Sequence, residues 1–118
     1  MNVLLVDDEP GMLKMMKTML QSNGLQVFDV LHAKDAMLAA QDHRIDVLVA
    51  DLVLGTDMDG FTLARWIVAE HPNLPVLFIS GYPTEFESKR RDFRKCTFLQ
   101  KPFRKADLVS AIAELAGA

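Results

Sequence analysis

Four charged side chains in this sequence could do chemistry together. Asp7 and Asp8 close one apolar run, Val3 to Val6; Asp51 closes another, Val47 to Ala50; and Lys101 follows shortly after Phe98-Leu99. Three carboxylates gathered at one place repel one another, so such a cluster takes up protons or binds a cation. Donors that are all oxygen suit Mg²⁺. A metal site on these acids, with one amine at the same edge, is the first expectation.

Neighbouring parallel strands would gather the four, because a parallel sheet presents its ligand site beyond the carboxyl ends of its strands, where strand order reverses. The pattern supplies those strands. Asn2 to Val6, Gln26 to Leu31, Asp46 to Asp51, Pro75 to Ser80 and Thr97 to Gln100 read as five short strands. The continuous Val76-Leu77-Phe78-Ile79 run suits a strand buried on both faces. Between them, apolar residues recur at helical spacing. Pro10 to Gln21 carries Met12, Leu13, Met16, Met19 and Leu20, with Pro10 in the tolerated first turn and Gly24 suited to the stop. Lys34 to Asp42 turns Ala36, Met37, Ala39 and Ala40 inward; Leu63, Ala64, Ile67 and Val68 mark a third helix that His71-Pro72 ends. Thr84 to Lys95 is predicted helical but weakly amphipathic, and Ala106 to Leu115 closes the chain with Leu108, Val109, Ile112 and Leu115 inward. Five βα units in succession predict one doubly wound α/β sandwich. The strand order 2-1-3-4-5, common among such sheets, would set Asp7, Asp8 and Asp51 side by side.

Composition agrees. The chain has 118 residues, 50% of them hydrophobic and 25% charged, which suits a single globular domain with a real core. A net charge of −3 lacks the basic excess of a nucleic-acid binder. The lone Cys96 cannot form an internal disulfide, the N-terminal apolar run lacks the flank and length of a signal peptide, and no run approaches membrane-spanning length. A cytoplasmic location, with no direct contact to membrane or nucleic acid, is expected.

Val6-Asp7-Asp8-Glu9, Asp51 ending the third strand, Ser80 ending the fourth and Lys101-Pro102-Phe103 after the fifth together resemble the receiver domain of two-component response regulators. The resemblance spans residues 1–118 as one domain, with four motifs in order on the expected elements, and implies a flavodoxin-like (βα)5 fold. It implies that Asp51 accepts a phosphoryl group from a histidine kinase, a histidine phosphotransfer protein or a small phosphodonor. Asp7, Asp8, Asp51 and the Val53 carbonyl would hold Mg²⁺, Asp8 ahead of Asp7 as direct ligand. Lys101 would pair with the acids and then with a phosphate oxygen, and Ser80 would donate its hydroxyl to another. Ser80 and Phe98 would form the switch: Ser80 moves towards the phosphate, the Phe98 ring turns into the vacated space, and the face of the fourth helix, fifth strand and fifth helix changes. Phe98 lacks the hydroxyl of the tyrosine often found there, so its inward state depends on packing. The chain would be no enzyme beyond its own phosphorylation and slow dephosphorylation. Downstream, a protein target or a covalently linked domain is implied, and a phosphorylation-dependent homodimer is open.

Departures from the family pattern matter too. Where a proline commonly stands four residues after the acceptor, this chain has Gly55, and Leu54-Gly55-Thr56-Asp57-Met58-Asp59-Gly60 is one residue longer than usual. Glycine predicts a looser loop than proline. A stand-alone regulator, a relay intermediate and a hybrid-kinase segment are open, and because enlarged loops of this kind occur in receivers attached to hybrid sensor kinases, the resemblance tilts towards the last. The Gly-Ala pair often found before the fifth strand is replaced by Arg94-Lys95-Cys96. Val53 and Tyr82, each two residues beyond a site residue, cannot orient water as a carboxylate or amide could, and a tyrosine ring can cover the site; slow autodephosphorylation is expected.

Other readings fit less well. A dehalogenase-like phosphatase needs a second Asp where Val53 stands, and a flavin carrier needs a phosphate-cradling loop where Asp7-Asp8-Glu9 stands. A degenerate receiver serving as a protein scaffold is the remaining rival. The basic run Lys89, Arg90, Arg91, Arg94 and Lys95 alternates with acids and reads as a solvated helix face; His32, His43 and His71 lack metal-ligand spacing, and His71 suits a helix end. The methionines between positions 12 and 37 read as core filling.

Overall fold

The computed structural model describes residues 1–55 and 58–117. Along them alternate β1 (Asn2–Val6), α1 (Pro10–Gln21), β2 (Gln26–Val30), α2 (Ala33–Asp42), β3 (Val47–Asp51), α3 (Gly60–Glu70), β4 (Val76–Ser80), α4 (Pro83–Lys89), β5 (Cys96–Gln100) and α5 (Lys105–Gly117). Every strand pairing is parallel and the order is 2-1-3-4-5, as the pattern predicts. Val6 lies beside Ala50, Asp51 beside Ile79, and Ser80 beside Gln100. The residues that end β1, β3, β4 and β5 therefore line one edge of the sheet.

Strand alternation divides the core in two. Val3, Leu5, Val47, Val49, Leu77 and Ile79 face α1 and α5, where Leu13, Met16, Leu20, Leu108 and Ile112 meet them. Leu4, Val6, Leu48, Ala50, Val76 and Phe78 face α2, α3 and α4. Both central strands, β3 and β4, are buried at every position. On the second face Phe78 is the hub of an aromatic group, with ring centroids 4.8 Å from Phe61, 5.0 Å from Phe93 and 6.1 Å from Phe86.

Acids fix the starts of α1 and α3. Glu9 caps α1, its carboxylate accepting the Gly11 and Met12 N–H groups at 3.0 and 2.6 Å, and Asp59 accepts the Thr62 N–H at 2.7 Å to open α3. Gly24, at φ 81°, ends the turn after α1 as expected. His71 does stand at the end of α3, where its backbone N–H bonds the Ile67 carbonyl.

One element differs from expectation. The helix predicted over Thr84 to Lys95 stops at Lys89, a 3₁₀ turn covers Arg90–Asp92, and the chain then straightens into β5. Phe86 and Phe93 are the two apolar residues between Thr84 and Lys95, so a longer helix would gain no further core contact. Breaking it lets Lys95 accept the Val76 N–H at the head of the sheet. The basic residues there are not one continuous helix face. Instead Arg90 pairs with Glu87 at 3.5 Å, and Arg94 bonds Asn73 at 2.8 Å. Strand ends shift by a residue: Leu31 lies outside β2, and Asp46 precedes β3, its carboxylate accepting the Asn2 N–H at 2.7 Å.

Two glycines decide how β3 joins α3. Gly55 has φ 78°, a value closed to proline, which accounts for the missing proline. Thr56 and Asp57, the middle of the enlarged loop, lie outside the described residues. Gly60 abuts the backbone: a Cβ there would collide with the Asp51 carbonyl oxygen and lie 3.0 Å from Leu52 Cα. Gly60→Ala is therefore expected to cost about 1–3 kcal/mol by overpacking. Gly81→Ala, whose Cβ would meet nothing within 4 Å, is the control. Urea midpoints that fall equally for the two variants would contradict the close approach.

Candidate functional site

Beyond the sheet edge lies a cleft of about 310 Å³, lined by Asp7, Asp8, Glu9, Asp51, Val53, Ser80, Gly81, Tyr82 and Lys101. The sequence-predicted residues converge here, with the exception of Phe98. Asp7 and Asp51 are buried at its floor, and Asp8 is exposed at its mouth. Asp51 Oδ2 takes the Lys101 Nζ at 2.6 Å, and its Oδ1 accepts the Val53 N–H at 2.9 Å. Asp7 Oδ1 accepts the Glu9 N–H at 2.9 Å. The Lys101 N–H bonds the Ser80 carbonyl at 2.9 Å, which places the lysine by backbone before its side chain reaches the acid. Ser80 is buried, and its Oγ accepts the Tyr82 N–H at 3.0 Å.

The charges at the floor do not balance. Asp7 Oδ2 is buried with no hydrogen-bond partner. Burial, opposed by the Glu9 N–H and reinforced by the charge of Asp51, pushes the Asp7 carboxyl up to about 6. Two ionised carboxylates cannot bond each other, since both only accept; a protonated Asp7 can donate to Asp51. Burial alone would lower Lys101, but its hydrogen bond to Asp51 and the charges of Asp51, Asp7 and Asp8 outweigh this and raise it above the ordinary lysine range.

These residues fit a hard cation. The donors are all oxygen, and Asp7 Oδ2 is a buried acceptor awaiting a positive partner. Among the described residues no group of three His, Cys, Asp or Glu side chains is closed to ligand spacing, so carboxylates alone do not complete a shell. A backbone carbonyl such as that of Val53 and solvent oxygens are needed, as suits Mg²⁺.

At the rim of the cleft, Val53 is 60% and Tyr82 69% exposed. Phe98 lies outside the cleft, half-buried on β5, with its ring stacked on Phe86 at 5.3 Å. Two residues escaped the sequence reading as site builders. Glu9 is the α1 cap, which an acid directly before Pro10 could have signalled; Gly60, whose close approach fixes the Asp51 backbone, had no such signal.

A family model described as the response regulator receiver domain matches residues 3–113. The chain belongs to that family. The receiver is 32% identical over 116 residues to the sensor kinase CckA of Brucella abortus (strain 2308), covering 96% of this chain and 12% of CckA. It is 29% identical over 114 residues to the response regulator receiver protein CpdR of the same organism, covering 96% of this chain and 94% of CpdR. It thus spans about an eighth of one relative and nearly all of another. A response regulator receiver protein from Sinorhizobium medicae WSM419 has the same fold, with TM-score 0.91 and 28% identity over 99% of this chain and 94% of that one. The receiver fold is one of signalling proteins and not of a conventional enzyme. No helix among the described residues is long and apolar enough to cross a membrane.

The raised Asp7 carboxyl makes the metal-free receiver sensitive to pH. Its folded value of about 6 exceeds the ordinary 3.8, so the native state holds the extra proton between these values. The Asp7 contribution is present below about pH 4 and is lost as pH rises through about 6, by linkage. In metal-free urea unfolding, Asp7→Asn is expected to stabilise the receiver at pH 7.5, by as much as about 3 kcal/mol for a two-unit shift. At pH 4.5 the gain should shrink to about a third of that. A gain of the same size at both pH values would show that Asp7 is not strained by its charge.

Proposed function

We propose that Asp51 is the phosphoacceptor of a two-component signalling receiver. The observation that carries this reading is the Lys101 ammonium on a buried Asp51 carboxylate, 2.6 Å away, beside the unpartnered Asp7 oxygen. An Asp51 oxygen attacks the phosphorus of a phosphohistidine, an O–P bond forms, the P–N bond breaks, and the imidazole leaves with the bonding pair and takes a proton from solvent. Asp7, Asp8, Asp51 and the Val53 carbonyl would hold Mg²⁺, which when bound would supply neutralisation of the phosphoryl charge. Lys101 exchanges its carboxylate partner for a phosphoryl oxygen. Ser80, now an acceptor for the Tyr82 N–H, turns to donate its hydroxyl to another oxygen.

Residues 1–118 act as one receiver in the cytoplasm, fed by a histidine kinase or a histidine phosphotransfer protein and read by a downstream protein or a linked domain. Similarity to CckA, a far longer sensor kinase, favours a hybrid-kinase segment, and similarity to CpdR over nearly its whole length favours a stand-alone regulator. Both use the same chemistry.

Intact mass after incubation with phosphoramidate and Mg²⁺ tests the acceptor. One phosphoryl adduct is expected, absent in Asp51→Asn and without Mg²⁺. A folded protein that gains no adduct would leave a scaffold role.

Lifetime is a separate matter. Val53 and Tyr82 offer no group to orient water, so decay should be slow, and Val53→Asn with Tyr82→Glu is expected to speed it by at least about tenfold. An unchanged decay rate in the double variant would remove these positions from control of the signal.

A further inference from the structure

Glu9-Pro10-Gly11, directly after the acid pair, is an uncommon way to begin a helix. Glutamate is not among the favoured capping residues, proline has no N–H, and glycine is a poor helix former. The local geometry accounts for all three. The Glu9 carboxylate lies over the first turn of α1 and takes two backbone donors, the Gly11 N–H at 3.0 Å and the Met12 N–H at 2.6 Å. Pro10 brings no N–H to compete for it. A Cβ on Gly11 would stand 3.1 Å from Glu9 Oε1, so glycine leaves the carboxylate its place.

The backbone of the same residue is tied in the opposite direction. The Glu9 N–H donates to Asp7 Oδ1 at 2.9 Å, and the other Asp7 oxygen, Oδ2, is the one left buried without a partner. Asp7 is itself held at the end of β1, where its N–H bonds the Val30 carbonyl at 3.3 Å. Helix α1 is anchored to the sheet by Leu13, Met16 and Leu20. Asp8 is therefore strung between two fixed points, the strand on one side and the capped helix on the other. Glu9 lines the cleft, yet its oxygens face helix donors, and among the described residues no three acidic side chains close to ligand spacing.

We propose that Glu9 is a positioning residue for the cation: by capping α1 it aims its own N–H at Asp7 Oδ1, and so presents Asp7 Oδ2 and the adjacent Asp8 to Mg²⁺ without binding the ion itself. This rests on the Mg²⁺ reading of the site. Without the cap, Asp8 and Glu9 form a loose link between β1 and α1, and ordering the two acids opposes binding of the ion.

Mg²⁺ titration of the full chain at pH 7.5, followed by the amide resonances of Asp7, Asp8 and Val53, tests this beside urea midpoints of the metal-free variants. Glu9→Ala removes both cap and charge, whereas Glu9→Asn removes the charge and keeps a good cap. Glu9→Ala is expected to weaken Mg²⁺ binding about tenfold, the scale of groups that orient a metal's ligands. Glu9→Asn should stay within about threefold of the unaltered chain, since an exposed charge is screened. Thr18→Gly, at an exposed position within α1, should lower the urea midpoint and leave Mg²⁺ affinity unchanged. Equal weakening in Glu9→Ala and Glu9→Asn would assign the effect to charge, and weakening in Thr18→Gly as large as in Glu9→Ala would assign it to general loss of helix stability. Either result, or an unchanged affinity in Glu9→Ala, overturns the positioning role and leaves the Mg²⁺ reading intact. If the unaltered chain shows no Mg²⁺-dependent shift, the Mg²⁺ reading and the positioning role fall together.

Discussion

An excess of negative charge, built into the end of a buried sheet, is the constraint on which the rest of this structure depends. Asp7 and Asp51 are both removed from water, Asp8 stands beside them, and one lysine side chain reaches the floor. Such a set is unfavourable in isolation, since desolvation and like-charge repulsion act in the same direction. It survives because the surrounding backbone is over-determined: β3 and β4 are buried along their whole length, and Lys101 is placed by its own N–H against Ser80. The energy held in the unmatched carboxylates is what a cation or a phosphoryl group with its cation can relieve. Binding and folding are therefore coupled through the same few oxygens.

Rigidity is unevenly shared around that edge. The central strands and the helices α1, α3 and α5 form a continuous packed frame. Strand β5 is only partly buried, and α4 rests on an aromatic group of which it contributes a single ring. Local openings are drawn from such thinly packed segments, while tightly packed ones open only with the whole domain. The carboxylates at the sheet edge therefore sit on the stiff part of the molecule, beside a more thinly packed one.

Much of this was legible in the sequence because parallel strands buried on both faces must be continuous apolar runs, and each such run here ends in a charged or hydroxyl residue. Periodicity gave α1, α2, α3 and α5, whose apolar residues repeat three or four times. It failed for α4, where Phe86 and Phe93 are too few and too far apart to say where the helix stops. Register, which alone sets Asp51 against Lys101, came through the strand order and not from any local signal. The exposure of Tyr82 was not readable either: residue type says that a ring can cover a cleft, whereas side-chain direction decides whether it does. Nor could the sequence show that Gly60 touches the Asp51 carbonyl, since that contact depends on how the enlarged loop closes.

That closure bears on how the loop can vary. The segment after Asp51 is clamped at its start, where the Leu52 N–H bonds the Ile79 carbonyl at 2.9 Å, and at its end, where the Gly60 N–H bonds the Leu52 carbonyl at 2.9 Å. Whatever chain lies between is a bight tied off at both ends, and its length is not transmitted to the strand. An added residue can therefore be absorbed without displacing the carboxylate, because loop-closure entropy rises only slowly with length. The clamp tolerates almost any bight but only one residue at the knot.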